Sequence, residues 1–237
     1  MHTVAVVLAA GSGSRFGSAS PKQLRVLAGR NLIEHCVQAF EDAPGVDGIL
    51  VVTATALQEQ VARDLADYGK VAAVIKGGDT RTDSTRVALA WLAASVPGDA
   101  KVLFHDAARP LVDQRIIADC VTGLDQWQAI GVVVPSSDTI VEVIDGTIQR
   151  VLPRHALARC QTPQGFRLSV ISRAYQLADA DPAFATIAAT DDCGVVLRYL
   201  PEVTIGAVRG SERNLKITYT DDLAIANALI GAHAEPG

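Results

Sequence analysis

Along the first hundred and thirty-odd positions two kinds of apolar pattern take turns. Short unbroken runs of β-branched and aliphatic residues occur at Val4 to Leu8, Ile49 to Thr53, Val71 to Ile75, Val102 to His105 and Ile130 to Val134. Between them, apolar residues recur every three or four positions at Leu32 to Phe40, Leu57 to Tyr68, Thr82 to Ala94 and Gln114 to Leu124. The first pattern suits strands covered on both faces, and the second suits helices that cover them. A further helix is predicted from Asp221 to about Ile230, because Asp221 and Asp222 fall in its first turn, at the positive end of the helix dipole.

This alternation predicts βαβ units and hence an α/β, Rossmann-like three-layer sandwich with a mostly parallel central sheet. The rhythm breaks between about Ser136 and Phe166, where Thr139 to Ile144 and Thr147 to Val151 alternate like strands around Asp145-Gly146, a hairpin turn pair. The segment at about 136–166 reads as a projecting β-arm, suited to a dimer interface, on a single domain spanning 1–237. No repeat, low-complexity tract or interdomain linker divides the chain.

The 237 residues are 49% hydrophobic, enough for a substantial core. A formal net charge of -5, with both signs interspersed, provides no basic stripe for a nucleic-acid backbone. The first apolar run has no basic leader, and no run is long enough to span a bilayer. Cys36, Cys120, Cys160 and Cys193 are scattered without a Cys-x-x-Cys pair. These features predict a cytoplasmic protein with reduced thiols and neither a nucleic-acid nor a membrane partner.

Three clusters carry candidate chemistry. The first strand runs into Ala9-Ala10-Gly11-Ser12-Gly13-Ser14-Arg15 and then Pro21-Lys22-Gln23. Small residues let backbone N–H groups approach phosphate oxygens, and Arg15 and Lys22 can neutralise a polyphosphate. The glycine spacing is not that of a dinucleotide-binding fingerprint, and Gly-Lys-Ser/Thr, the mark of a P-loop, is absent. The second cluster, Lys76-Gly77-Gly78-Asp79-Thr80-Arg81-Thr82-Asp83-Ser84, follows a strand and opens a helix. It reads equally as a seat for a base or ribose and as a capped helix start. The third, His105-Asp106-Ala107-Ala108-Arg109-Pro110, ends a strand predicted to be central, where Asp106 could meet a metal and Arg109 a phosphate. A buried Asp–Arg pair is the structural alternative, and His105 is read as a packing residue.

Taken together with Asp138-Thr139, Arg154, Gln161-Thr162-Pro163-Gln164, Thr190-Asp191-Asp192 and Asn214-Leu215-Lys216-Ile217-Thr218, these motifs make the chain resemble, over nearly its whole length, the 2-C-methyl-D-erythritol 4-phosphate cytidylyltransferases and the related ribitol-5-phosphate cytidylyltransferases. The resemblance implies a magnesium-dependent transfer of CMP from CTP to a polyol phosphate, in a homodimer whose arm reaches the neighbouring subunit's pocket. It further implies that Ala9, Ala10, Gly11, Ser12, Gly13, Gly78, Asp79, Arg81, Ser84 and Ala107 hold the nucleotide, with Asp106 near Mg²⁺. Arg15, Lys22, Arg154 and Lys216 would be the catalytic cations, while Asp106, Arg109, Thr139, Thr162 and Thr190 would surround the acceptor.

The residue types agree with such a reaction. A phosphate monoester is close to a dianion near neutral pH, its second pKa being about 6, so its oxygen needs no general base. Catalysis then rests on cations and in-line positioning. Ala107-Ala108 leans to the erythritol branch, whereas Leu24-Arg25, Cys193 and Tyr219 depart from its commonest pattern. Methylerythritol phosphate is the favoured acceptor, with ribitol 5-phosphate as the alternative. A dinucleotide-dependent oxidoreductase and a non-catalytic nucleotide-binding protein are the readings from other classes.

Overall fold

The computed structural model describes residues 1–11, 21–184 and 191–234, the last three of these by backbone alone. The predicted site residues Ser12, Gly13, Arg15 and Thr190 lie outside the described residues. In chain order the elements are β1 (Thr3–Ala9), β2 (Val26–Leu27), β3 (Arg30–Asn31), α1 (Leu32–Glu41), β4 (Gly48–Thr53), α2 (Gln58–Asp64), β5 (Val71–Lys76), α3 (Arg81–Ser95), β6 (Lys101–Asp106), α4 (Gln114–Gln126) and β7 (Ala129–Pro135). They continue with β8 (Val141–Ile144), β9 (Thr147–Val151), β10 (Ala158–Arg167), α5 (Leu168–Ala180), α6 (Asp192–Tyr199), β11 (Ile205–Arg209) and α7 (Thr220–Ala234).

A seven-stranded sheet has the order β11-β7-β10-β6-β1-β4-β5. β10 runs antiparallel to both β6 and β7, and the other ladders are parallel. From β1 the chain adds β4 and β5 on one side and then crosses back to place β6 on the other. The carboxyl ends of β1 and β6 therefore flank a topological switch point, where open α/β sheets form their crevices.

Alternation along β1 sends Ala5, Val7 and Ala9 to one face and Val4, Val6 and Leu8 to the other, the period of two that a strand imposes. The first face packs on Ile33, Val37 and Phe40 of α1, Val61 of α2, and Ile116 and Leu124 of α4. The opposite face packs on Leu89 and Leu92 of α3, Ile171 and Tyr175 of α5, and Val195 and Val196 of α6. Full burial of each such side chain is worth roughly 1.5–3 kcal/mol. A third, smaller cluster seats α7 through Ala226, Leu223 and Ile230 against Leu27, Leu32 and Ile217.

The predicted strands and the helices over α1, α3, α4 and α7 recur with small boundary changes. The Leu57 to Tyr68 helix is shorter than expected, because Thr55–Leu57 is a 3-10 turn and α2 ends at Asp64. The hairpin forms as β8 and β9, and both turn residues take positive φ, 48° at Asp145 and 76° at Gly146, as a two-residue turn of this hand requires. The arm region departs from the expectation at its far end. Residues 158–167 are β10, in the middle of the main sheet, so the excursion closes before Ala158 rather than at Phe166. Pro163 within the segment argues against a central strand. The fold accommodates it at a register shift between Gln161 and Gln164, where the Thr162–Pro163 peptide is cis.

Candidate active site

A cleft of about 350 Å³ opens at the switch point. One wall is the end of β1 (Leu8 to Gly11), another the turn from β5 into α3 (Gly78 to Arg81, with Ser84), and a third the end of β6 (Asp106 to Ala108). Lys22, Gln23, Lys216 and Thr218 complete it. Backbone bonds from Ala107 N to Leu8 O (3.0 Å) and from Gly77 N to Thr53 O (2.8 Å) hold the strand ends together. The turn from β5 tolerates no side chain at its glycines, since a Cβ on Gly77 would overlap Ala10 and one on Gly78 would overlap Asp83. The capped-helix reading of this turn is what the structure shows. Thr80 and Asp83 form a capping box, and the same helix start faces the cleft. Ser84 Oγ accepts from Gly78 N (3.2 Å) and donates to Thr80 O (3.0 Å), which pins the turn from below.

The charges in the cleft are held by buried partners. Arg81 spans two carboxylates, with Nε 3.3 Å from Asp106 Oδ1 and a terminal nitrogen 2.8 Å from Asp192 Oδ2. Lys216 Nζ lies 2.8 Å from the other Asp106 oxygen. Burial alone would raise the Asp106 pKa, but Arg81, Lys216 and Arg109 outweigh it and hold the carboxyl well below the usual range. Burial likewise opposes the charge on Arg81, and Asp192 and Asp106 reverse that, raising its pKa. Asp192 is fully buried. Its second oxygen accepts from Tyr175 Oη (2.7 Å) and Thr85 Oγ1 (3.1 Å). Gln164 Oε1 accepts from the backbone N–H of Asp192 (3.1 Å), and Gln164 Nε2 donates to Asp191 Oδ2 (2.8 Å).

Beneath Asp106, Thr162 Oγ1 accepts from the Asp106 N–H (3.1 Å) and lies 3.1 Å from His105 Nδ1. His105 Nε2 faces the Arg109 carbonyl at 3.0 Å, so it donates, and Nδ1 is left to accept from Thr162. Burial, the main cause, lowers the His105 pKa to about 4, keeping the ring neutral. The sequence reading of His105 as a packing residue stands.

The sequence profile of the 2-C-methyl-D-erythritol 4-phosphate cytidylyltransferases matches residues 3–232. The chain belongs to that family. A 2-C-methyl-D-erythritol 4-phosphate cytidylyltransferase of Thermobifida fusca is 49% identical over 97% of this chain and 93% of its own length. The crystal structure of the Francisella tularensis cytidylyltransferase of the same name superposes with a TM-score of 0.80 at 27% identity, covering 96% of this chain and 99% of that one. A bifunctional ribulose 5-phosphate reductase/CDP-ribitol pyrophosphorylase of Haemophilus influenzae is 36% identical over 95% of this chain but 48% of its own length.

Of the residues that the cytidylyltransferase resemblance singled out, Ala9, Ala10, Gly11, Lys22, Gly78, Asp79, Arg81, Ser84, Asp106, Ala107 and Lys216 line the cleft together. Four others do not line it. Arg109 turns away and donates to Asn214 O (2.8 Å) and Cys160 O (3.4 Å). Thr162 is buried, with its hydroxyl engaged beneath Asp106. Thr139 and Arg154 are exposed on either side of the β8–β9 hairpin, where Arg154 donates to Ser137 O (3.0 Å). Gln23, Thr80 and Thr218, which the sequence reading quoted within its motifs but gave no role of their own, also line the cleft, and that reading missed Asp192 as a second counter-ion of Arg81. For Asp192 the available signal was its place in the Thr190-Asp191-Asp192 motif, where Asp191 alone suffices as the helix cap.

Proposed function

We propose that this chain transfers the cytidylyl group of CTP to the phosphate of 2-C-methyl-D-erythritol 4-phosphate and releases pyrophosphate. One observation carries the reading: the cleft at the switch point combines glycine-lined backbone with Lys22, Arg81 and Lys216. An acceptor oxygen of the phosphate dianion attacks the α-phosphorus of CTP. The bond from that phosphorus to the bridging oxygen of the β-phosphate breaks, and pyrophosphate carries the electron pair away. Two anions must meet, so fixed cations are what the protein has to supply. In this reading Lys22, with Arg15, takes the charge developing on the triphosphate. Ala9 to Gly13, Gly78, Asp79, Arg81, Ser84 and Ala107 seat the nucleotide. Lys216 exchanges the Asp106 carboxylate for the acceptor phosphate, and Arg154 aims the same group. Arg109, Thr139, Thr162 and Thr190 shape the acceptor end, Thr162 and Arg109 by bracing it.

Among the described residues no group of three His, Cys, Asp or Glu could hold a metal ion. Magnesium commonly binds through one or two carboxylates together with substrate phosphates; Asp106 would hold an ion arriving with CTP through the oxygen that Lys216 now occupies, once Lys216 turns to the acceptor phosphate. Such an ion would neutralise triphosphate charge.

The arm supports a homodimer in which Thr139 and Arg154 serve the neighbouring cleft, since Val143, Ile144, Ile148 and Val151 of β8 and β9 are all more than half exposed. Among the described residues no helix is long and apolar enough to cross a membrane, and the four cysteines are free.

The test is magnesium-dependent pyrophosphate release from CTP, with methylerythritol 4-phosphate and ribitol 5-phosphate as parallel acceptors. We expect clear preference for the former and loss of turnover on chelation. Equal or greater turnover with ribitol 5-phosphate would overturn the acceptor assignment while leaving the transfer chemistry intact.

A further inference from the structure

Lys216 sits on no helix or strand, yet its ammonium meets Asp106 across 110 positions of sequence. The reason lies behind it, in a buried amide pair. Gln161 of β10 is 5% exposed and Asn214 is fully buried. Gln161 Nε2 donates to the carbonyls of Ser211 (2.8 Å) and Asn214 (3.2 Å), while its Oε1 accepts from Ser211 N and from Asn214 Nδ2, each at 3.3 Å. Asn214 Nδ2 also donates to Thr162 O (2.8 Å). One bond beyond the lysine, Ile217 N donates to Ala108 O (2.8 Å). The loop that carries Lys216 is thus tied at one end to β10 and at the other to the turn after β6, the two segments that frame Asp106.

We infer that Gln161 and Asn214 are positioning residues for the transfer reaction, acting through Lys216: their amide-to-amide latch sets where the lysine ammonium stands relative to the acceptor phosphate. A side-chain pair that merely filled the core would need no such directional set, and an apolar pair would leave the Ser211 and Thr162 carbonyls without these donors. The latch places a loop by hydrogen bonds at both ends, and misplacing a reacting or aiming group by about an ångström can cost up to about a hundredfold in rate.

The inference rests on the proposed role of Lys216, and a double-mutant cycle separates the two. Asn214→Ala, Lys216→Ala and the pair are assayed for kcat and KM toward methylerythritol 4-phosphate, with CTP affinity measured by calorimetry as a check on the fold. Asn214→Ala is expected to lower acceptor kcat/KM by about tenfold to a hundredfold. CTP affinity should stay within about twofold, and in the Lys216→Ala background the Asn214 substitution should change acceptor kcat/KM by less than about twofold, the tolerance of independent sites. An undiminished loss in that background would overturn the inference while leaving Lys216 in its role. A Lys216→Ala protein with wild-type turnover would overturn the role of the lysine and the inference with it. Should Asn214→Ala not fold, Gln161→Met opens the latch from its other side with little change of volume, and the same cycle then supports or overturns the inference by the same two outcomes.

Discussion

Around the cleft, carboxylates, guanidinium and amide groups are buried and bonded to one another. In the β8–β9 hairpin, valine and isoleucine side chains stand in solvent. Each arrangement is costly by itself: buried charge demands partners, and exposed apolar surface favours association. The cleft meets its cost within the chain, through Asp192, Gln164, Tyr175 and Thr85 behind Arg81, and through Gln161 and Asn214 behind Lys216. Internal partners of this kind fix charges in place before a substrate arrives, which is how preorganised electrostatics lowers a barrier. The hairpin has no such internal answer among the described residues. Its two strands, joined by a two-residue turn and shifted in register between Glu142 and Val143, form a ribbon whose exposed apolar side chains are the basis of the proposed contact with a second copy.

Removing a partner from the buried side of this contrast should have the largest effect. Asp192→Ala leaves Arg81 with Asp106 as its remaining carboxylate and takes the acceptor from Tyr175 and Thr85, a loss of up to about 3 kcal/mol, the low end for breaking a buried pair. Denaturant unfolding should show that loss together with a raised KM for CTP, whereas Asp192→Asn, which keeps an acceptor for Tyr175 and Thr85, should lose distinctly less. Equal stability of the alanine variant and the wild type would mean that the network does not support Arg81. Next comes Lys22, whose ammonium donates to Ile217 O at 2.8 Å and so stands beside the Lys216 loop. Lys22→Ala should lower kcat by at least about a hundredfold, the scale for one preorganised donor, with the melting temperature little changed. A folded variant with wild-type turnover would remove Lys22 from the machinery.

The smallest effect belongs to the hairpin. Ile148→Asp should weaken self-association by about tenfold, within the range for truncation or disruption of one interface side chain, while each subunit keeps its thermal stability. Sedimentation across a concentration series reads this directly. An unchanged dimer, or a chain that is monomeric before the substitution, would assign the apolar ribbon to something other than a second copy.

The strands at the sheet's centre were legible because β1, β4 and β6 are buried on both faces and so carry unbroken apolar runs. Glycines 77 and 78 were legible because close backbone approach admits no other residue, and Asp145-Gly146 because both positions need positive φ. Lys22 and Lys216 could be read from motif order through the family resemblance. β10 could not be read from its pattern, because Gln161-Thr162-Pro163-Gln164 is polar and interrupted by proline, and its place between β6 and β7 depends on a register shift. Nor could Thr162 and Arg109 be told apart from cleft residues, since the direction of a side chain at the end of a strand is decided by what lies opposite. For Thr162 that is His105, and for Arg109 the Asn214 carbonyl. By itself, then, the sequence determined the local features: element type, tight turns, and the supply of cations and small residues near the carboxyl ends of the strands. Only the tertiary structure decided which of those groups face the cleft and which hold it up, because pairs such as Arg81 with Asp192 and Lys216 with Asp106 join residues far apart in the chain, and no local period records a long-range hydrogen bond.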